Sequence, residues 1–316
     1  MRTALFMKKS THTLSFLGFA IAFVGAILFS TKAIMVKHAF EHIKVDALSL
    51  LTLRMVFSLP FYVTAAFFIS KKVGNVRMSA QQWIYLLMLG ICGYYLSSLF
   101  DFIGLQYISA GLERLILFLY PTFIVLINAV VYKQKINRNQ QIALVLTYLG
   151  IALSYYGELK VDTSNPNFYW GSFLIFICAI TYSIYIVGSG RIIEQVGAAK
   201  FTAYAMLSAT AGIFIHYFLR GEYTVLQQGK DLWLYGLALG IVATVIPTFM
   251  LSNAIKRIGS NNVAIIASVG PVSTIVQAHF FLDEKFFMEQ VIGTILVVAG
   301  VLLLSLKVEK KVAISK

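Results

Sequence analysis

Charge is scarce in this chain. Only 12% of its 316 residues are Asp, Glu, Lys or Arg, about half the roughly 25% typical of a soluble globular domain. With 59% hydrophobic residues and a mean hydropathy of +0.80, too little polar side chain remains to coat a water-facing surface. This speaks against a soluble enzyme and for a surface in contact with lipid. Cysteine is nearly missing as well: Cys92 and Cys178 both lie in apolar runs, so there is neither a disulfide framework nor a cysteine spacing suited to a metal. Acidic residues number 13 against 26 basic ones, a formal charge of +13. On a soluble surface that excess would suggest nucleic acid. Here the Lys and Arg stand in short clusters between apolar runs, as topology signals do, and no nucleic-acid partner is expected. HExxH, P-loop and GxSxG patterns are all absent, which leaves ATP-driven transport and intramembrane hydrolysis without their motifs and implies no cofactor.

What is present is a series of apolar runs. Ten of them come close to the roughly 20 residues that a helix needs to cross a 30 Å hydrocarbon core: 14–36, 46–69, 83–105, 109–131, 140–157, 168–189, 200–219, 232–255, 261–282 and 288–307. They are continuously apolar rather than alternating, which predicts an all-α integral membrane protein of ten transmembrane helices and not a barrel. The first run follows Arg2, Lys8 and Lys9 but has no small-residue cleavage pattern, so it is read as a retained helix and not a signal peptide. Counting helix ends with the adjacent loops, 17 Lys and Arg fall on one side and six on the other, with Lys32, Arg54 and Arg114 inside the spans. The rule that positive loops stay inside predicts both termini in the cytoplasm, for a multi-pass protein of the cytoplasmic (inner) membrane.

The sequence also repeats. A shift of 150 residues lays Trp83 on Trp233, Gly90 on Gly240, Pro121 on Pro271, Lys135 on Lys285 and Gly150 on Gly300. A shift of 153 lays Gly18, Phe23, Ala26, Ile27 and Ser30 on Gly171, Phe176, Ala179, Ile180 and Ser183. Trp occurs three times and Pro five times in the chain, so apolar composition alone does not explain both aligning at one offset. This predicts a five-plus-five repeat, 14–157 and 168–307. Five being odd, the halves enter the membrane from opposite sides as an inverted repeat, an arrangement associated with secondary transporters.

The runs LSLLTLRMVFSLP in the second helix, QYISAGLERLILFLYPTFIVLINAVVY across the third and fourth, and RIGSNNVAIIASVGPVSTIVQAHFFLDEKF across the eighth and ninth resemble the drug/metabolite transporter superfamily, and within it ten-helix proteins built from two EamA domains. The resemblance covers essentially the whole chain and implies the ten-helix inverted-repeat fold and the movement of small metabolites, often amino acids and related compounds. It maps the family's second-helix arginine onto Arg54, its prolines onto Pro121 and Pro271, and its acidic residue after the ninth helix onto Glu284. At the position matching Glu284 in the first half stands Gln134, in YKQK where the family usually has Gly-Glu-Arg.

A charge inside a span costs about 2.5–3.5 kcal/mol on insertion scales, so Lys32, Arg54, Asp101, Glu113 and Arg114 need reasons. All fall in the outer part of their predicted helices. One reading is a vestibule or gate whose net positive charge suits a carboxylate-bearing substrate, with Asp101 or Glu113 as a proton carrier. The other is an ion-pair set tying four helices together, with Lys32 snorkelling outward. The 150-residue partners of Asp101, Glu113 and Arg114 are Leu251, Val263 and Ala264, so the charge set belongs to one half alone.

Polar stripes at helical spacing mark inward faces: Tyr94, Ser98 and Asp101; Glu113, Tyr120 and Asn128; Thr181, Tyr185 and Ser189; Thr244, Thr248 and Ser252; Ser273 and Gln277. Tyr120, Asn128 and Gln277 are the cavity candidates among them, being large and in need of partners; the smaller residues fit helix packing. Pro121, Pro247 and Pro271 are candidate helix breaks beside a site. His279 stands four residues before Asp283, a lone pair too small for a metal site.

Together these features predict a secondary transporter working by alternating access, and the family resemblance implies that it exports an amino acid or similar small polar metabolite. Its partners would be that small-molecule substrate, membrane lipids and protons as coupling ion. The rivals are an intramembrane lipid-modifying transferase, for which the charge cluster lacks a catalytic His, and a passive channel, which has no need of inverted halves.

Overall fold

Each apolar run becomes a helix. The computed structural model describes residues 16–72, 75–133, 135–136, 138–161, 165–221, 229–258, 263, 266–267, 269–285 and 287–306, and no strand occurs among them. The helices are α1 (Phe16–His42), α2 (Ala47–Lys71), α3 (Ala80–Gly104), α4 (Ala110–Val131), α5 (Arg138–Val161), α6 (Phe168–Val196), α7 (Ala198–Arg220), α8 (Lys230–Gly240 continuing through Ile246–Ile258), α9 (Val269–Leu282) and α10 (Met288–Leu306). Eight helical runs are long and apolar enough to cross a membrane, and two shorter apolar helices, 269–282 and 288–303, make up the ten. The predicted first turns of the ninth helix fall largely outside the described residues, as does Gln134.

Polar residues set the helix starts. Asp46 caps α2 by accepting from Leu48 N (3.0 Å) and Ser49 N (3.1 Å). Ser79 and Gln82 form a reciprocal capping box on α3, and Ser109 caps α4 through Leu112 N at 3.1 Å; each satisfies amide donors that the first turn leaves open. Between α6 and α7 the chain turns at Gly197, whose φ of +87° suits a residue without a Cβ.

Three helices are internally irregular. In α3, residues Ile91–Leu96 wind as a π-helix, with Ser97 N donating to Cys92 O; in α8, Ile241–Val245 do the same, with Ile246 N donating to Ile241 O. The two π segments begin 150 residues apart, each just after a glycine. Pro247 follows the second, but Ser97 stands at the matching place in α3, so proline does not account for the first. The third irregularity is in α4, which breaks at Phe118 and Leu119 before resuming at Tyr120. Pro121 lacks an N–H, and its ring excludes the carbonyl four residues back.

Small residues let the helices approach closely. Gly150 of α5 lies against the backbone of Gly293, and Gly300 of α10 against Thr147 and the Ala143 carbonyl. Gly90 of α3 packs on Ala205 of α7, while Gly240 of α8 packs on Arg54 and Phe57 of α2. Such contacts drive helix association where lipid is as apolar as leucine. Among the other extensive pairings, α1 lies on α8 and α9, and α6 on α3 and α4.

Below, the face where α1 begins is called proximal and the opposite one distal. At the distal face α1 runs to His42, six residues past its expected end, which carries Lys37 over the loop between α3 and α4. There its Nζ donates to Ile108 O (2.8 Å) and Leu105 O (3.3 Å). The lengthening follows because Lys37, His38, Glu41 and His42 continue the helix once it has left the apolar layer.

Candidate functional site

A cavity of about 340 Å³ lies in the middle of the bundle. Its walls come from α1, α2, α3 and α4, from α6, α7 and α8, from Ala267, and from Gly270 at the start of α9; α5 and α10 contribute no lining residue. Of the residues singled out from the sequence, Lys32, Arg54, Tyr94, Asp101, Arg114 and Tyr120 line it. Glu113, Asn128 and Gln277 do not, and neither do Pro121, Pro247 and Pro271. Gln277 is satisfied on its own helix, donating to Ser273 Oγ at 2.7 Å, and Asn128 is half-buried beyond the break in α4.

The ionisable residues divide into a pair and two separate arginines. Lys32 Nζ bonds Asp101 Oδ2 at 2.6 Å, with 9% and 1% of their side chains exposed. Lys32 is therefore a buried partner and does not snorkel outward. Arg54 is 4% exposed and Arg114 3%, yet among the described residues neither has a carboxylate oxygen within 4.0 Å. A threonine of the other half holds each instead. Arg54 Nε donates to Thr244 Oγ1 at 2.8 Å, and Arg114 Nε to Thr274 Oγ1 at 3.1 Å. Secondary contacts are long: Arg54 Nη1 to Ser98 Oγ at 3.4 Å and Arg114 Nη2 to Phe29 O at 3.3 Å. Arg54 also lies over the ring of Phe102, 5.7 Å from its centroid. A five-membered ion-pair set is not what these distances describe.

Glu113 stands behind the cavity wall, fully buried. No donor among the described residues reaches either of its carboxyl oxygens or Asp101 Oδ1.

Sequence reasoning missed several wall residues: Phe29, Phe118, Cys178, Tyr182 and Thr202. Phe118 and Tyr182 form an edge-to-face set through Tyr120, with Phe118 to Tyr120 centroids at 5.8 Å and Tyr120 to Tyr182 at 5.4 Å. Thr244 occupies the π segment of α8 and Tyr94 that of α3, so both irregular turns present side chains to the cavity. Thr202 lies only four residues from the proximal start of α7, which brings the wall close to that face.

The distal end is covered. Besides the Lys37 bonds, Glu284 from the loop after α9 caps α4, its carboxylate accepting from Ala110 N (2.8 Å) and Gly111 N (3.3 Å). Partial burial pushes the Glu284 carboxyl above its ordinary value, against the opposing pull of these two bonds and of Lys37. His279 Nδ1 bonds the Glu284 carbonyl at 2.9 Å. Two further contacts cross the same face: Arg220 to Asp46 at 2.8 Å and His38 to Tyr235.

Comparison with known proteins agrees with this architecture. A solved crystal structure superposes with a TM-score of 0.62 at 19% identity, covering 95% of this chain and 99% of that one; at that identity the likeness concerns the fold alone. The protein named uncharacterized transporter YcbK of Bacillus subtilis is 27% identical over 295 residues, 91% of this chain and 93% of that protein. The uncharacterized inner membrane transporter YicL of Salmonella typhimurium is 20% identical over 285 residues, 90% and 93% of the two chains. A biotin transporter of Escherichia coli is 23% identical over 199 residues, 61% of this chain and 65% of that one. The pattern of the EamA-like transporter family matches twice, at residues 16–156 and 169–306, and on that coverage this membrane protein belongs to the EamA-like transporter family.

Proposed function

We propose that the chain is a secondary transporter that carries a small carboxylate-bearing metabolite out of the cytoplasm. The observation that carries this reading is the central cavity, walled by both halves of the chain and holding two buried arginines that have no carboxylate partner among the described residues. A guanidinium buried without a counter-ion is costly, and an anionic substrate would supply what the protein leaves out. The biotin transporter among the relatives fits the same reading, since biotin is itself a carboxylate.

The mechanism is alternating access by two inverted five-helix halves, 14–157 and 168–307. Supporting it are the two family matches, the π segments 150 residues apart, and the exchanged packing of Gly90 on α7 and Gly240 on α2. With both termini in the cytoplasm, the distal face is external, and the contacts of Lys37, Glu284, Arg220 and His38 hold it shut. Opening that face means breaking them together while the wall near Thr202 closes. A proton carried by Asp101 or Glu113 is the coupling ion. Its loss would leave two carboxylates to one lysine and draw Arg114 toward them, so proton and substrate compete for the same positive charge.

Reconstitution in liposomes with a panel of labelled metabolites, with and without a proton gradient, tests the reading. Saturable, gradient-dependent accumulation of a carboxylate is expected, with the gradient dependence lost in Asp101→Asn or Glu113→Gln while substrate-for-substrate exchange persists. Flux that never saturates and never accumulates would instead mark a passive channel.

A further inference from the structure

The charges on the cavity wall narrow the substrate class. Lys32 is neutralised by Asp101 at 2.6 Å. The remaining oxygen of Asp101 and both oxygens of Glu113 are buried, so the one carboxylate on the described wall, that of Asp101, is already engaged by Lys32. The wall presents two guanidinium groups whose Nε atoms are fixed by Thr244 and Thr274. Each keeps one Nη without a partner among the described residues: Nη2 of Arg54 and Nη1 of Arg114. Anchoring Nε fixes the plane of the fork, and a planar fork matches a carboxylate. Around it the wall is aromatic, with Phe29, Tyr94, Phe118, Tyr120 and Tyr182.

We infer that the cavity is built for an organic carboxylate with an apolar or aromatic body and no ammonium group. An α-amino acid satisfies one arginine and then places its ammonium among cations, with only hydroxyls and ring faces to receive it. Like charges brought together in a desolvated site repel strongly. A ring or chain in the ammonium's place instead meets the aromatic wall, where edge-to-face contacts suit it. Because the forks stand on different helices, α2 and α4, a second carboxylate on the ligand is admissible and an ammonium is not. The inference deepens the transport reading by naming its substrate class, but it concerns binding and can be tested without transport.

The test is calorimetric titration of the purified full-length protein in detergent with three ligands sharing one ring: 3-phenylpropionate, phenylalanine and phenethylamine, with phenylsuccinate as the dicarboxylate arm. Phenylpropionate or phenylsuccinate should bind at least tenfold more tightly than phenylalanine, and phenethylamine should give no heat. Arg54→Gln, Arg114→Gln and Arg54→Lys should each weaken carboxylate binding at least tenfold, the last because it keeps the charge and loses the fork. If those variants do not fold, the order of ligands on the unaltered protein decides alone. Equal or tighter binding of phenylalanine, silence with every ligand, or carboxylate binding unchanged in folded arginine variants would each overturn the inference. A zwitterion preference would leave the transport reading standing, whereas failure of every metabolite to accumulate in liposomes would sink that reading even with the predicted binding order.

Discussion

Removing one member of the Lys32–Asp101 pair should cost far more than removing both. Their atoms lie 2.6 Å apart with the side chains 9% and 1% exposed, so at an effective dielectric of about 20 their attraction is on the order of 6 kcal/mol. Desolvating each ion costs several kcal/mol, which leaves the intact pair near balance. Lys32→Met keeps the length of the side chain and removes the charge, so Asp101 loses its one bonded cation while its other oxygen already lacks a donor. The expected loss is about 3–5 kcal/mol, seen as a fall of several degrees in Tm. Asp101→Asn should be destabilising as well, because it strands the lysine. The double variant Lys32→Met with Asp101→Asn removes both desolvation costs and should return to within roughly 1 kcal/mol of the unaltered protein. Thermal unfolding in detergent micelles, followed by tryptophan fluorescence, reads all four proteins. Single variants that melt with the unaltered protein, or a double variant as unstable as the sum of the singles, would refute the pairing argument.

Gly240→Ala sets a Cβ against the Arg54 carbonyl at 2.9 Å and Phe57 Cβ at 2.8 Å. It should cost about 1–3 kcal/mol, whereas Gly190→Ala, with nothing within 4 Å, should stabilise its helix by about 0.5–1 kcal/mol; melting curves compare them. Glu284 holds its proton more tightly in the folded protein than its ordinary value of 4.5 allows, so its contribution to stability falls as pH rises from that value through the raised one. Melting of the unaltered protein beside Glu284→Gln should therefore show the variant gaining relative stability with rising pH over that window, and a pH-independent difference would count against the buried site shared with Lys37 and Glu41. Reporter fusions after residue 160 and at residue 316 should give opposite signals, external for the first and internal for the second.

The ten helices were legible because a lipid environment admits few alternatives to a continuously apolar helix. Their ends were not. His42 and Val196 lie well past the apolar runs, in turns that continue through polar residues which hydropathy reads as loop. The π segments have no residue signature beyond the glycines before them. Within the site, Lys32, Arg54, Asp101 and Arg114 stood out because charge is expensive in a membrane. Thr274, Thr202 and Cys178 did not, since small polar residues occur throughout membrane helices. Asn128 and Gln277 were singled out as large polar residues in need of partners, and Gln277 finds its partner in Ser273 one turn away.

The central claim is that one cavity is exposed to each face in turn. Thr248→Cys, in a protein whose Cys92 and Cys178 are replaced by serine, puts a single thiol on the cavity wall. Labelling it in oriented vesicles with a charged, membrane-impermeant thiol reagent reads access from either face. The account predicts labelling from both faces, with saturating substrate changing the two rates in opposite directions. Labelling from one face only, unchanged by substrate or by the proton gradient, would show a static pocket and contradict it.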